Sequence, residues 1–497
     1  MTATFRRRVD NVILRWQGRL DSDEADRIAP WVFALGLFVV LVLLSLAQAR
    51  SIEANADLAA YTQAAWSIRL GFEPVTTATT GTNVFAPQGA LVFYPLALAT
   101  NYLPTVPLLL VVQSMALSLA VVPLWRVCRR LASLRTGASL MVLVVYSLHP
   151  IVQTLNLDGF HPETLALPFL IGAGYFGLSQ HWRRFALCCL IAMLCRADLG
   201  LAIAGLGVLL MTQGYRRRGG ITAIVGLTWA LGFLFVVQPH LGDGVSQLQA
   251  YAAFGDTPAS VAWGILTHPV QLFEQVFSRE NFQLLVYLFA PVLFLPFLSP
   301  RYLLPVIPLQ VLYLAGDVSA ATRYGPQAVA ITAFIFLSAP RGLSRLGRVN
   351  VERVTIDRRV LITMAVAALS FFVLYAPSSP YERPWGWGGQ DAADGARLEA
   401  RDDIATDAKV RVSSSMLVLM AERREVYPLD IGSGDSPVAD PIAATDGVDV
   451  VVVDRSEFVG PTAARERSFE LGIERIGFSV SSDAEGIVVL TRRPDRG

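Results

Sequence analysis

The stretch "SIEANADLAAYTQAAWSIRLGF", Ser51 to Phe72, sets Glu53, Asp57, Gln63 and Arg69 just beyond a long apolar run, with Tyr61 and Trp66 among them. A membrane exit loop carrying two carboxylates, an amide and two aromatics is polar enough to hold a substrate. A structural reading competes. Leu58, Tyr61, Ala65 and Ile68 share one helical face, and Asp57 falls where a carboxylate caps or steadies a helix N-terminus. Both readings stay open on this stretch alone.

Two further stretches carry the same ambiguity. "LNLDGFHPETLALP" sets Asp158, His161 and Glu163 between apolar runs, with Pro162 suited to a first helical turn. It reads either as a capped turn or as a carboxylate–imidazole site able to hold a divalent cation. "CRADLG" puts Arg196 and Asp198 inside otherwise apolar sequence, where charge is kept for pairing or for a cavity. They form either a mutual ion pair or, through the planar Arg fork, a contact for phosphate or an acidic substrate. Arg323, beside Tyr324, is a fourth candidate substrate contact, with snorkelling to an interface as its simpler reading.

Composition decides what must position these groups. Of 497 residues, 53% are hydrophobic and 16% charged, whereas a soluble chain carries roughly a quarter charged residues. Several runs reach the roughly 17–25 apolar residues of a bilayer-spanning helix. The expected class is therefore an α-helical polytopic membrane protein. A net charge of +1 leaves no electrostatic footprint for nucleic acid. Basic residues are almost all Arg, with Lys409 the only lysine. Cys128, Cys188, Cys189 and Cys195 fall in basic-loop or apolar helix sequence, which indicates neither a disulfide framework nor a metal-ligand spacing. The small residues of "LAQAR" resemble a cleavage site, but the polar lead before the first apolar run is too long for a signal peptide, so Trp31–Leu46 is read as a retained span.

The positive-inside rule places the Arg-rich residues 1–30 in the cytoplasm and opens an extracytoplasmic loop over 49–105. Further spans are expected at Pro104–Trp125, Gly137–Leu155, Pro162–Leu178, Ile221–Val237, Phe282–Leu298, Tyr302–Ala315, Pro326–Leu337 and Val360–Tyr375. Between "HWRR" and "GYRRR" the chain must turn back, giving two short spans with "CRAD" at their apex. The total is about eleven crossings over a transmembrane unit of 31–376. Residues 377–398 read as a linker and 399–497 as a small extracytoplasmic α/β domain, with "AKVRVSSSMLVLMAERREVYPL" as strand, helix, strand. This topology gathers Asp57, the Asp158–Glu163 cluster, Arg196–Asp198 and Arg323 at the outer membrane face, in one outward-facing cavity.

The stretches "ADLAAYTQAAWSIRLG", "LDGFHPETLALPFL", "CRADLGL" and "FLPFLSPRYLLPVIPLQVL" resemble a bacterial family of predicted polytopic membrane proteins, itself similar to the GT-C superfamily of glycosyltransferases. The resemblance covers about Ala54 to Arg341, and "REVYPL…VDVVVVD" resembles the family's closing domain. It implies a plasma-membrane protein that takes sugar from a polyprenyl-phosphate donor, with a catalytic carboxylate in the first extracytoplasmic loop and a divalent cation, Mg or Mn. Only Asp57 matches that carboxylate, with Glu53 a poorer second. His161 and Glu163 match the family's "HPE", and Arg196 and Asp198 its basic-x-acidic element. Asp57, His161 and Glu163 are the implied metal ligands; Glu53, Tyr61, Gln63, Trp66, His161, Glu163, Arg196, Asp198 and Arg323 the substrate contacts. Gln88 stands where a loop His is expected, and Ala197 where a second acid could sit. The acceptor that the resemblance implies is an envelope glycan, lipid or protein. A transporter or lipid-handling protein using the same cavity, and a non-catalytic scaffold of envelope assembly, are the rival classes.

Overall fold

The computed structural model describes residues 22–52, 54–79, 81–241, 249–350, 353–381, 388–430, 440–458 and 465–493. Glu53 and the Arg-rich residues 1–21 lie outside them. Helix α1, Asp23–Arg50, runs 28 residues from Ser22, whose side chain accepts from Ala25 N. At 1.5 Å per residue that is about 42 Å, enough to cross a bilayer with its headgroups. Its exposed face is apolar, with Ile28, Val32, Leu35 and Leu43 each more than half exposed. Lipid is the solvent such a face requires.

After a break at Ser51–Ile52 comes α2, Ala56–Arg69. Next are α3, Thr105–Leu119, which continues helically to Leu131, then α4, Thr136–Leu148, and α5, Pro150–Leu157. Helix α6 is Leu167–Leu178, entered through a 3-10 turn at Pro162–Ala166. Helices α7, Trp182–Cys195, and α8, Leu199–Thr212, are separated by Arg196 in extended conformation, so the chain does turn at "CRAD". Helix α9, Arg216–Gly232, lies so close to α8 that a Cβ on Gly200 would sit 2.5 Å from Gly226 O, and one on Gly207 2.5 Å from Ala223 N. Small residues are what allow two membrane helices to approach like this.

Among the described residues four helices are long and apolar enough to cross a membrane: Asp23–Arg50, Thr105–Leu131, Arg216–Leu241 and Arg358–Tyr375. A fifth results if α4 and α5, bent by 46°, form one span. The eleven expected crossings are therefore not confirmed among the described residues. Proline explains much of the shortfall, since it removes an amide donor and clashes with the preceding turn. The two spans expected over Phe282–Leu298 and Tyr302–Ala315 become a helix at Arg279–Phe289, a series of 3-10 turns, and the nine-residue α10, Ile307–Ala315. Pro291, Pro296, Pro300 and Pro305 fall in those turns, and Leu293 and Phe294 are left-handed, at φ 51° and 52°. Irregular backbone is tolerated in such a bundle where protein covers it. Here the buried helix α11, Ala328–Arg345, supplies the cover, and its Ser338 hydroxyl bonds Pro296 O at 3.1 Å and Ser299 O at 2.9 Å. The last apolar helix is α12, Arg358–Tyr375.

The terminal domain begins earlier than the sequence boundary. Helix α13, Ala392–Asp403, buries Ala396 and Ala400 in the same cluster as the sheet residues Val410, Val412 and Val452. The sheet comprises β1, Val410–Val412, β2, Val426–Pro428, β3, Val450–Asp454, β4, Phe478–Ala484, and β5, Ile487–Arg492, in the order β2-β1-β3-β5-β4. The first three strands are mutually parallel and the last two antiparallel to their neighbours. The helix expected between β1 and β2 is only a 3-10 turn, Ser414–Met416, followed by hydrogen-bonded turns. Ala59 of α2 belongs to this domain's buried cluster, whereas Leu58 and Tyr61 belong to that of the membrane helices. Helix α2 is thus wedged between the two.

Candidate functional site

Asp57 lies in the first turn of α2, but it is not the cap. Asn55 is, with its Oδ1 accepting from Leu58 N at 2.7 Å. That leaves the Asp57 carboxylate for other partners, 63% exposed and 3.9 Å from His161 Nδ1. His161 is buried and fixed on both sides. Its backbone N–H donates to Gln113 Oε1 at 2.8 Å, and its Nε2 donates to Asp158 O at 2.8 Å. Gln113, from α3, also donates to Leu155 O and Gly159 O, so one amide side chain sets the whole turn before Pro162.

Electrostatics follow from that crowding. Burial lowers the His161 pKa, but the hydrogen bond to Asp158 and the charges of Glu163, Asp57 and Asp158 prevail and raise it from 6.5 to about 9. His161 is therefore an imidazolium at neutral pH. Although its side chain is 63% exposed, the protein packed around the Asp57 carboxyl desolvates it and raises its pKa above the ordinary value, against the pull of His161 and with the push of Glu163 and Asp158. A carboxylate raised in this way is a stronger base than a free one.

Glu163 carries the arrangement into the bundle. Wholly buried, it takes Arg196 Nη1 on Oε1 at 2.9 Å, while its Oε2 has no hydrogen-bond partner. Arg196 Nε meets both oxygens of Asp198 at 3.0 Å, and its guanidinium lies 5.4 Å from the Tyr313 ring centroid. Tyr313, from α10, donates its hydroxyl to Asp198 Oδ2 at 2.7 Å. Among the described residues nothing bonds Arg196 Nη2.

Loop 81–92 closes against the same place: Ala197 N donates to Gln88 O at 2.9 Å, and Tyr61 donates to Gln88 Oε1 at 3.4 Å. The Tyr61 ring packs edge-on against Phe93 and Phe160.

The structure thus brings together Asp57, Tyr61, Asp158, His161, Glu163, Arg196 and Asp198. It does not bring in three of the other residues expected as substrate contacts. Gln63 is fully buried and clamps α2 to the terminal domain, donating to Thr77 Oγ1, Arg423 O and Arg424 O and accepting from Ala78 N. Trp66 packs on Phe72. Arg323 donates to Asn281 Oδ1 at 3.0 Å and to Val318 O at 3.3 Å. Glu53 lies outside the described residues. Nor do Asp57, His161 and Glu163 assemble as a ligand set, and among the described residues no group of three or more His, Cys, Asp or Glu is placed to hold a metal. The reason is visible in the bonding: Glu163 faces Arg196 and the His161 Nε2 proton is committed to a carbonyl. Sequence reading passed over Gln113 and Tyr313, single polar groups in apolar helices. Their position inside apolar runs was the available signal.

The chain belongs to the predicted membrane protein family DUF2079, which matches residues 51–489. No curated protein matches it. Its fold is similar to that of apo ArnT from Cupriavidus metallidurans, with a TM-score of 0.54, 11% identity, and coverage of 94% of this chain and 100% of that one. ArnT from the same organism bound to undecaprenyl phosphate gives 0.50 and 10%, covering 93% and 98%. The apo oligosaccharyltransferase of Archaeoglobus fulgidus gives 0.45 and 13%, covering 88% and 71%. At these identities the likeness to ArnT is one of fold.

Proposed function

We propose that this chain is a membrane glycosyltransferase that moves a sugar from a polyprenyl-phosphate donor to a hydroxyl acceptor outside the cytoplasm. The reading rests on one observation above all: an accessible carboxylate with a raised pKa, Asp57, stands beside a cluster in which the buried Arg196 keeps one nitrogen unpaired. A base and an anion-binding group are the two things such a transfer needs.

In the proposed reaction Asp57 removes the acceptor hydroxyl proton as that oxygen bonds the anomeric carbon. The bond from that carbon to the donor phosphate oxygen breaks, and polyprenyl phosphate departs with the electron pair. Arg196 holds the phosphate oxygens through Nη2, with Glu163 and Asp198 fixing the guanidinium plane. His161, charged at neutral pH, orients Asp57. ArnT, which shares the fold, binds undecaprenyl phosphate, and that lipid class is the one proposed here. The terminal domain, clamped to α2 through Gln63, would hold Asp57 in place and help select the acceptor.

The test is envelope-glycan and lipid-linked-glycan profiling of a deletion strain carrying wild-type protein or Asp57→Asn. Loss of one glycan with accumulation of its lipid-linked donor, from a variant that inserts normally, supports transfer. A wild-type profile from Asp57→Asn, with lipid movement blocked instead in Arg196→Ala, supports a lipid transporter and overturns the proposal.

A further inference from the structure

The far end of the bundle holds a second polar site, unconnected with the chemistry above. Where the start of α1 meets the end of the Thr105–Leu131 helix, a cavity of about 300 Å³ is lined by Arg27, Trp31, Trp125, Arg126, Arg129 and Arg130. Asp23 and Asp26 complete its charged lining. Asp26 is already engaged, accepting from Arg129 Nε at 2.6 Å and lying 3.7 Å from Arg353 Nη2. Arg27 and Arg130, both exposed, enter no ion pair among the described residues. Positive charge is therefore in excess there.

Two tryptophans define what the excess charge is for. Trp125 is 1% exposed and its indole Nε1 has no hydrogen-bond partner. A buried N–H left without an acceptor is costly, and an anionic oxygen in the cavity would satisfy it. Trp31 is 52% exposed on the same surface as Ile28 and Val32, at 61% and 63%. Tryptophan flanked by aliphatic surface on one side and arginine on the other marks the headgroup level of a membrane. The mouth of the cavity thus offers apolar surface to acyl chains and arginine to a phosphate.

We propose that this cavity binds the phosphate headgroup of an anionic membrane phospholipid, with Arg27, Arg126 and Arg130 contacting its oxygens and Trp125 donating from below. A free phosphate ion shares the headgroup chemistry but makes no use of the aliphatic flank. The lipid holds the first span at its interface and leaves the Asp57 cluster, at the other end of α1, untouched.

The experiment is native mass spectrometry of the full-length protein, delipidated in neutral detergent and titrated separately with phosphatidylglycerol, phosphatidylcholine and inorganic phosphate. Wild type is expected to retain phosphatidylglycerol over phosphatidylcholine by about thirtyfold, the scale set by two arginines near a lipid surface. The double variant Arg27→Gln with Arg130→Gln changes only exposed side chains, so it should melt as wild type does and lose that preference. Trp125→Phe, which keeps a ring and removes the donor, should weaken retention by a few-fold. Equal retention of the two lipids by wild type overturns the proposal, as does an unchanged preference in the double variant. Retention of inorganic phosphate without any lipid preference overturns the lipid assignment.

Discussion

In the terminal domain Asp454 is 1% exposed, and every lone pair it offers is used. Its Oδ2 accepts from Arg397 Nε and Nη2 and from Ser415 Oγ, and its Oδ1 from Ser456 N and Oγ. Burial works against its charge, yet the bonds from Ser456, Ser415 and Arg397 prevail and hold its pKa below the usual carboxylate value. In the membrane bundle Glu163 is buried to the same degree but accepts from Arg196 alone, with Oε2 unpartnered. The two regions draw on the same residue types and differ in completion. A fully bonded buried carboxylate fixes a fold, whereas the set beside the accessible Asp57 keeps hydrogen-bonding capacity unused, which is what the proposed transfer would draw on.

That contrast can be broken from either side. Arg196→Gln has the largest expected effect, because among the described residues it removes the one partner of the buried Glu163 and leaves Asp198 with Tyr313 alone. A loss of about 3–5 kcal/mol in stability is expected, along with loss of polyprenyl-phosphate retention, read by thermal unfolding and by lipid binding. Asp454→Ala should cost the terminal domain about 2–3 kcal/mol, for lost charge-assisted bonds, while lipid retention below its melting temperature stays at the wild-type level. Loss of retention in that variant would show that the two clusters are not independent.

The charge on His161 gives a third handle. Its folded pKa, about 9, lies above its ordinary 6.5. The stability it contributes is therefore complete below about 6.5 and lost as pH rises through about 9. Unfolding temperature measured across that window should fall in wild type and stay flatter in His161→Gln. The smallest effect belongs to Gln63→Ala. Losing the clamp should cost about 1 kcal/mol and slow transfer a few-fold by loosening α2, with donor binding unchanged.

Some of this was legible in the sequence and some was not. Long apolar runs located α1, the Thr105–Leu131 helix, the Arg216–Leu241 helix and α12, because hydropathy over a bilayer thickness is a local property. The turn at Arg196–Asp198 was readable too, since charge inside apolar sequence and the basic clusters flanking it forced one. The segment from Phe289 to Val306 was misread as parts of two spans because hydropathy ignores what Pro291, Pro296, Pro300 and Pro305 do to hydrogen bonding. Gln63 looked like a ligand group because its partners, Arg423 and Arg424, lie more than three hundred residues away. Polarity on a helix can be read locally, but the direction it faces depends on the tertiary partner.

The most direct measurement uses full-length protein in lipid nanodiscs, supplied with lipid-linked sugars extracted from the deletion strain together with an envelope-acceptor extract. The release of free polyprenyl phosphate is followed in wild type and in Asp57→Asn. If Asp57 is the base, release falls by about a thousandfold, within the range for losing a general base, while donor binding is retained. Release at the wild-type rate from Asp57→Asn would contradict it.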